Sequence, residues 1–313
     1  MRVSPSSDAG RRRQRIAAGL PAAAGVLALI ATATTIAILG VTSVLAARAA
    51  GARGVTGTNA ALSPMTAASS GVRHLEYVFP DGGMYVYDAD NGQRLVQVVS
   101  GLPDTDGVRG VIVSPSAHAL YISHGDDSAS GRGQLLAYDL VAGKVLWNRS
   151  YSFGIDSGAI TPDGKTIYMP SGELDSSGVW NVLDAATGNP VGSVQGGAGA
   201  HNTIVSLDGR YVYLGGRNWN YLDVANTATN QVVQRIGPLV GGVRPFTVNG
   251  ANTLAYTTAT GFLGFQVSSI TTGKVLYTVP IPGFTLPGGF PLSAPSHGIS
   301  LSPDEQRLFV FDA

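Results

Sequence analysis

Cysteine is absent from the 313-residue chain, which excludes disulfides, thiolate metal sites, covalent c-type haem attachment and a lipidated cysteine at an export signal. Charge is sparse too, at 13% of residues, and Lys+Arg 20 balance Asp+Glu 20. With no basic excess to neutralise a phosphate backbone, a nucleic-acid partner is not expected. The helix formers Lys, Glu and Gln are scarce. What is plentiful is glycine, 42 residues, with Val, Thr, Tyr and Ser, a bias toward strands and tight turns. Composition therefore points to an all-β domain.

The exception is the amino terminus. Arg11, Arg12, Arg13 and Arg15 precede an uncharged stretch from Ile16 to Ala47 that is most apolar between Ala22 and Leu45. A secretory signal has an apolar region of about 7 to 15 residues and a spanning helix needs about 20, so a transmembrane signal-anchor over 16–47 is expected. The arginines place the basic segment 1–15 in the cytoplasm and everything after the anchor outside. Ala47-Arg48-Ala49 has the small-x-small form of a cleavage site, so secretion after cleavage near Ala49 is the alternative outcome. Residues 48–73, mostly Ala, Gly, Ser and Thr without hydrophobic periodicity, read as a flexible stalk.

From residue 74 onward the chain repeats itself. A turn recurs at Ser114-Pro115-Ser116-Ala117, Thr161-Pro162-Asp163-Gly164, Ser206-Leu207-Asp208-Gly209 and Ser302-Pro303-Asp304-Glu305, with a degenerate copy at Val248-Asn249-Gly250-Ala251. Its second position steps by 47, 45, 42 and 54 residues. A second turn, of the form Asp-x-x-Thr-Gly, recurs out of phase at Asp88 to Gly92, Asp139 to Gly143, Asp184 to Gly188 and Ile270 to Gly273, and the copy after Asp223 carries Asn230 in place of glycine. Short alternating runs lie between the turns, four to a repeat. A four-stranded antiparallel unit of about 45 residues in tandem is a propeller blade.

The order Ser-Pro-Asp-Gly, a Leu-Tyr-Val-like strand, then Asp-x-x-Thr-Gly-Lys-Val resembles the YVTN-type repeats of bacterial YncE-like propellers and, more distantly, lactonase and quinoprotein dehydrogenase propellers. The resemblance runs from about Leu75 to Ala313. Counted by strands, residues 75 to 99 supply the last three of a blade, four fuller repeats follow, and 297 to 313 supply the first two of another. Propellers of this kind typically close at seven blades, roughly 300 residues at this period, so 74–313 is expected to be an incomplete ring, truncated at its C-terminus. A small five-bladed ring is the other reading.

The innermost strand of each blade lines the central channel, and the residues entering it gather at one mouth. Six positions before the second residue of each Ser-Pro-Asp-Gly turn stand Arg109, Asp156, His201 and His297, and Arg244 falls one position later in the degenerate repeat. Imidazoles and a carboxylate are competent metal ligands and arginines match carboxylates or phosphates. These five residues are the candidate ligand site. On the purely structural reading, Arg109 pairs with Asp156 and the histidines bond backbone. Asp104-Thr105-Asp106-Gly107 has only the opening spacing of a calcium loop, and His124-Gly125-Asp126-Asp127 reads as solvated loop charge. Asp139 and Asp184 are expected to cap their own turns, and the tryptophans to pack between blades. No Gly-x-Ser-x-Gly elbow or zinc-protease motif is present, and Gly196-Gly197-Ala198-Gly199 lacks the lysine of a phosphate loop. The sequence leaves the cofactor unknown. The sequence thus points to a membrane-anchored extracytoplasmic binding or scaffold module for a protein, glycan or small-molecule ligand. The alternative that the resemblance implies is a lactonase-like hydrolase or quinoprotein-like dehydrogenase working at the channel mouth.

Overall fold

Twenty-one strands in six antiparallel sheets follow one another along the chain in a computed structural model that describes residues 73–80, 82–102, 107–129, 131–282 and 295–312. The first sheet has three strands, β1 (Leu75–Val78), β2 (Gly83–Asp88) and β3 (Arg94–Ser100). The second runs β4 (Val108–Ser114), β5 (Ala119–Gly125), β6 (Gly133–Asp139) and β7 (Lys144–Ser150). The third runs β8 (Ala159–Ile160), β9 (Thr166–Pro170), β10 (Val179–Asp184) and β11 (Pro190–Gln195). The fourth runs β12 (Ala200–Val205), β13 (Tyr211–Gly216), β14 (Leu222–Asn226) and β15 (Gln231–Ile236). The fifth runs β16 (Val243–Val248), β17 (Leu254–Ala259), β18 (Phe262–Ser269) and β19 (Val275–Pro280), and the sixth pairs β20 (Ser296–Leu301) with β21 (Leu308–Asp312). Each sheet is a simple meander. The first strands of successive sheets from the second onward touch one another, β4 with β8, β8 with β12, β12 with β16 and β16 with β20, and Ser157 even bridges Asn202 in parallel. Sheets joined along their first strands are blades of a β-propeller.

The two recurrent turns set this meander because each needs one residue of positive φ. In the first turn that residue is Gly164, Gly209 or Glu305, and in the copies one residue longer it is His118 or Asn252. The turn aspartate closes the loop: Asp163 accepts from the Thr161 hydroxyl at 2.6 Å and the Lys165 amide at 3.1 Å, and Asp208 does the same for Ser206 and Arg210. In the second turn the positive φ falls on Gly92, Gly143, Gly188 and Gly273, and on Asn230 where glycine is missing, a residue that tolerates the left-handed region. Asp139 accepts from the Val141 and Ala142 amides, and Asp184 from the Thr187 amide. Both cap their own turns, and the amides hold Asp139 below the usual carboxylate range.

Hydrophobic packing is confined to layers between neighbouring blades. Met84 and Val86 of the first blade meet Leu120, Ile122 and Leu136 of the second. Tyr121 and Leu135 of the second meet Ile155, Ile167 and Met169 of the third. Trp180 and Val182 of the third meet Val212 and Leu214 of the fourth, and Tyr213 and Leu222 of the fourth meet Val243 and Phe246 of the fifth. Alternation explains the layering, since each strand sends successive side chains to opposite faces and so to opposite neighbours. Tyrosines stitch the layers at their polar edge: the Tyr168 hydroxyl donates to Asn230 at 2.9 Å and that of Tyr213 to Asn252 at 3.3 Å, both reaching the turn of the next blade. Burial pushes these two hydroxyls up to about 12.

Residues 16–47, where the anchor is expected, and Asp104 to Asp106 lie outside the described residues. Among the described residues no helix is long and apolar enough to cross a membrane.

Candidate functional site

Four of the five candidate residues stand at breaks in their own β-ladders. Val108 pairs with His124 and Gly110 with Ser123, so Arg109 is the extra residue on β4. The pairing jumps in the same way across His201 on β12, across Arg244 and Pro245 on β16, and across His297 on β20. A bulge puts two residues opposite one and re-aims the extra side chain. Here the device repeats at the same end of four innermost strands, β4, β12, β16 and β20, and puts a polar residue out of register in each. Asp156 arrives differently, in the segment before β8, with its carboxylate accepting from the Ser157 amide at 2.8 Å.

The residues so placed are joined to one another. Asp156 meets His201 Nδ1 at 2.8 Å, both largely buried. Arg244, only 3% exposed, donates through NH2 to His297 Nε2 at 3.0 Å. Arg109 pairs with Asp127 at 3.0 Å. The expected pairing of Arg109 with Asp156 is therefore corrected, as is the expectation that the histidines bond backbone. Asp156–His201 joins the third blade to the fourth and Arg244–His297 joins the fifth to the sixth, while Arg109 and Asp127 both belong to the second. The reading of Asp127 and His124 as solvated charge is corrected too, for both are buried.

Three members of the rim have no counterpart in the repeat: Asp127, Glu173 and Arg217. Each comes from the loop between the second and third strands of its blade, at the same end as the bulges. Glu173 is the junction. Its Oε2 lies 2.9 Å from Arg244 NH1, 3.2 Å from Arg217 NH1 and 3.9 Å from His201 Nε2. Two glycines permit the close approach of these loops. Gly172 has φ +109 and a Cβ there would lie 2.0 Å from the Asp127 carbonyl oxygen, while a Cβ on Gly242 would lie 1.7 Å from that of Arg217.

The electrostatics follow from burial and from these partners. Burial would raise the Glu173 carboxyl, but His201, Arg244 and Arg217 outweigh it and hold it below the usual carboxylate range. Burial raises Asp127, with Arg109 opposing. Burial, then Arg244, then His201 hold the His297 imidazole below its ordinary value of 6.5. Arg244 can only donate, so His297 Nε2 accepts from it and the ring is neutral. Protonating it would set a cation against the guanidinium.

A pH dependence follows. Because the folded value of His297 is depressed, the unfolded chain takes a proton near pH 6.5 that the folded chain refuses, so this contribution to stability is present above that pH and is lost as pH falls toward the folded value. Glu173 has the same sign and acts below about 4.5, its ordinary value. Urea midpoints measured from pH 8 to pH 5.5 should fall, and His297→Gln should flatten the slope; an unchanged slope in that variant would remove His297 as the cause.

The same donors do not assemble a metal site. Asp156 and His201 face each other, His297 Nε2 is turned to Arg244, and among the described residues no group of three His, Asp or Glu is arranged to hold an ion. The metal that the lactonase-like resemblance implies therefore does not fit the described residues of this rim. Two recesses of about 370 and 230 Å³ lie elsewhere, between the Ser-Pro-Asp-Gly turns of adjacent blades; Pro162, Tyr168 and Asp208 line the first, and Leu207, Asn249 and Pro303 the second. They are apart from every rim residue.

Blades and rim together define a β-propeller with a charged channel mouth, a fold compatible with a binding or scaffold module. Hydrazine synthase of Kuenenia stuttgartiensis is similar in structure, with a TM-score of 0.53 and 21% identity over 66% of this chain and 56% of that one. The chain thus spans little more than half of that protein's length, and the likeness is one of fold. No family model matches the chain, and no curated protein matches it.

Proposed function

We propose that this chain is a ligand-binding propeller, tethered outside the membrane by residues 16–47, whose ligand docks on the charged rim. The observation that carries the reading is the row of bulges: Arg109, His201, Arg244 and His297 are each thrown out of register at the same end of an inner strand. A packing role would be met by apolar residues in register; irregularities repeated at one mouth belong to a surface that presents polar groups. The order of the two turns supports placing the chain with the YVTN-type propellers. Binding ranks ahead of hydrolysis or dehydrogenation because, among the described residues, the rim carboxylates are paired with its arginines and with His201.

The test is a thermal-shift titration of the detergent-purified full chain against small carboxylates, phosphate and short peptides. Arg109→Ala and Arg217→Ala should each weaken the ligand found by about tenfold, the loss of one charged hydrogen bond. Binding indifferent to both exchanges would overturn the rim as the site, and turnover of a lactone or alcohol by the chain supplied with metal or quinone would favour the enzyme reading. In membranes washed with alkaline carbonate the full chain should stay in the pellet; its release would overturn the tether.

A further inference from the structure

Glu173 reaches across several blades. It belongs to the third blade, yet its carboxylate oxygen Oε2 is held by Arg244 of the fifth blade and by Arg217 of the fourth, with His201 Nε2 facing it at 3.9 Å. Two guanidinium donors on one oxygen are how a protein seats a bound anion. The surroundings are those of a ligand seat as well. Arg244 is only 3% exposed, and neither its Nε nor the buried His201 Nε2 has a hydrogen-bond partner. A cation so deeply placed is costly without a counter-ion, and the fold supplies one from its own chain.

The seat is also reversible by local motion. The Glu173 side chain keeps 18% of its surface exposed, so it has a path to solvent. The loop carrying it is pinned independently on both sides, by the Leu174 amide on the Asp127 carbonyl at 3.2 Å and by the Gly199 amide on the Asp175 carbonyl at 3.0 Å. Rotation of the glutamate alone, without loop movement, would vacate the position between Arg217, Arg244 and His201.

We propose that Glu173 is a built-in stand-in for the ligand, an autoinhibitory carboxylate that occupies the rim until a small carboxylate anion displaces it. This deepens the reading of the rim as a binding site and rests on it. The ligand class is carboxylate rather than phosphate because the group that satisfies the seat between Arg244 and Arg217 is itself a singly charged carboxylate.

The experiment compares the full-length wild type with Glu173→Ala and Glu173→Gln, using acetate and propionate as probes and inorganic phosphate as the discriminating arm, by calorimetry and thermal shift. Glu173→Ala is expected to melt lower than wild type without anion, because Arg244 loses its counter-ion, and to bind acetate at least about tenfold more tightly, the equivalent of one charged hydrogen bond no longer competed for. Acetate should restore its melting temperature by mass action. Glu173→Gln, nearly isosteric and uncharged, should bind with intermediate affinity and needs no cavity to do so, which keeps the comparison readable if the alanine variant folds poorly. Equal acetate affinity in all three forms, abolished by Arg217→Ala, would overturn the stand-in while leaving the rim as a binding site. Absence of carboxylate binding in every form would overturn both. Phosphate binding the variants more tightly than acetate would overturn the choice of carboxylate.

Discussion

Trp180→Ala is expected to lower stability by about 4 kcal/mol, more than any other single truncation in the described layers. The indole is fully buried between the third and fourth blades, among Tyr168, Val182, Val212 and Leu214. Removing a buried aromatic ring costs about 3–5 kcal/mol through lost transfer and the cavity left behind. The site cannot collapse cheaply, because β10 and β13 are each fixed in four-stranded sheets. The indole Nε1 also donates to Thr203 Oγ1 at 2.8 Å, and its loss strands a buried hydroxyl, about 1 kcal/mol more. For a domain of this size the melting temperature should fall by about 2–4 °C for each kcal/mol. Trp180→Phe keeps most of the ring and loses only the donor, so it should recover more than half of the loss. Equal melting temperatures for wild type and Trp180→Ala would mean that the layer between these blades does not carry the stability assigned to it.

The same layer shows why the architecture was legible in the sequence. Two turn types in fixed phase, each demanding one left-handed residue, determine where every strand begins and ends. The substitution of Asn230 for glycine broke the motif without breaking the turn, since its φ of 56° is the one the position requires. Counting strands between those turns yields the observed succession of three, four, four, four, four and two. The inner-strand slot was legible for the same reason: a constant offset from the turn finds Arg109, Asp156, His201 and His297. What the offset could not show is the bulge. A residue inserted out of register looks like any other in an alternating run, and only the pairing with the second strand reveals it.

Partners were less legible than positions. Asp127, Glu173 and Arg217 lie on loops between second and third strands whose lengths differ from blade to blade, so no fixed spacing marks them. Asp127 sits in a run, His124-Gly125-Asp126-Asp127, whose composition is that of a solvated loop. Its burial comes from the tight approach of Gly172 on the next blade, a contact about 45 residues away that the repeat period alone does not specify. The one usable signal was glycine: Gly172 and Gly242 stand beside the charged residues that the close approach brings in.

Arg244→Met should test the rim as a unit, and its effect is the second largest expected. The guanidinium is buried and serves two partners, Glu173 at 2.9 Å and His297 at 3.0 Å. Taking one member from a buried ion pair costs about 3–5 kcal/mol, because the remaining charge stays out of water without compensation. Arg217 still holds Glu173 at 3.2 Å and is itself partly exposed, so a loss of about 2–3 kcal/mol in denaturant unfolding is expected. Removing the stranded charge should return much of it: Arg244→Met with Glu173→Gln should be more stable than Arg244→Met alone, a coupling that a double-mutant cycle reads directly. The imidazole supplies an independent signature. With Arg244 gone, His297 loses the second-ranked cause of its depression, burial being the first, and its titration followed by NMR should move up toward 6.5, shrinking the stability that is lost as pH falls from 6.5 to the folded value. An unmoved His297 titration would break the link between the two halves of the rim, leaving Arg244 and Glu173 as an ordinary buried pair beside a histidine that merely shares their neighbourhood.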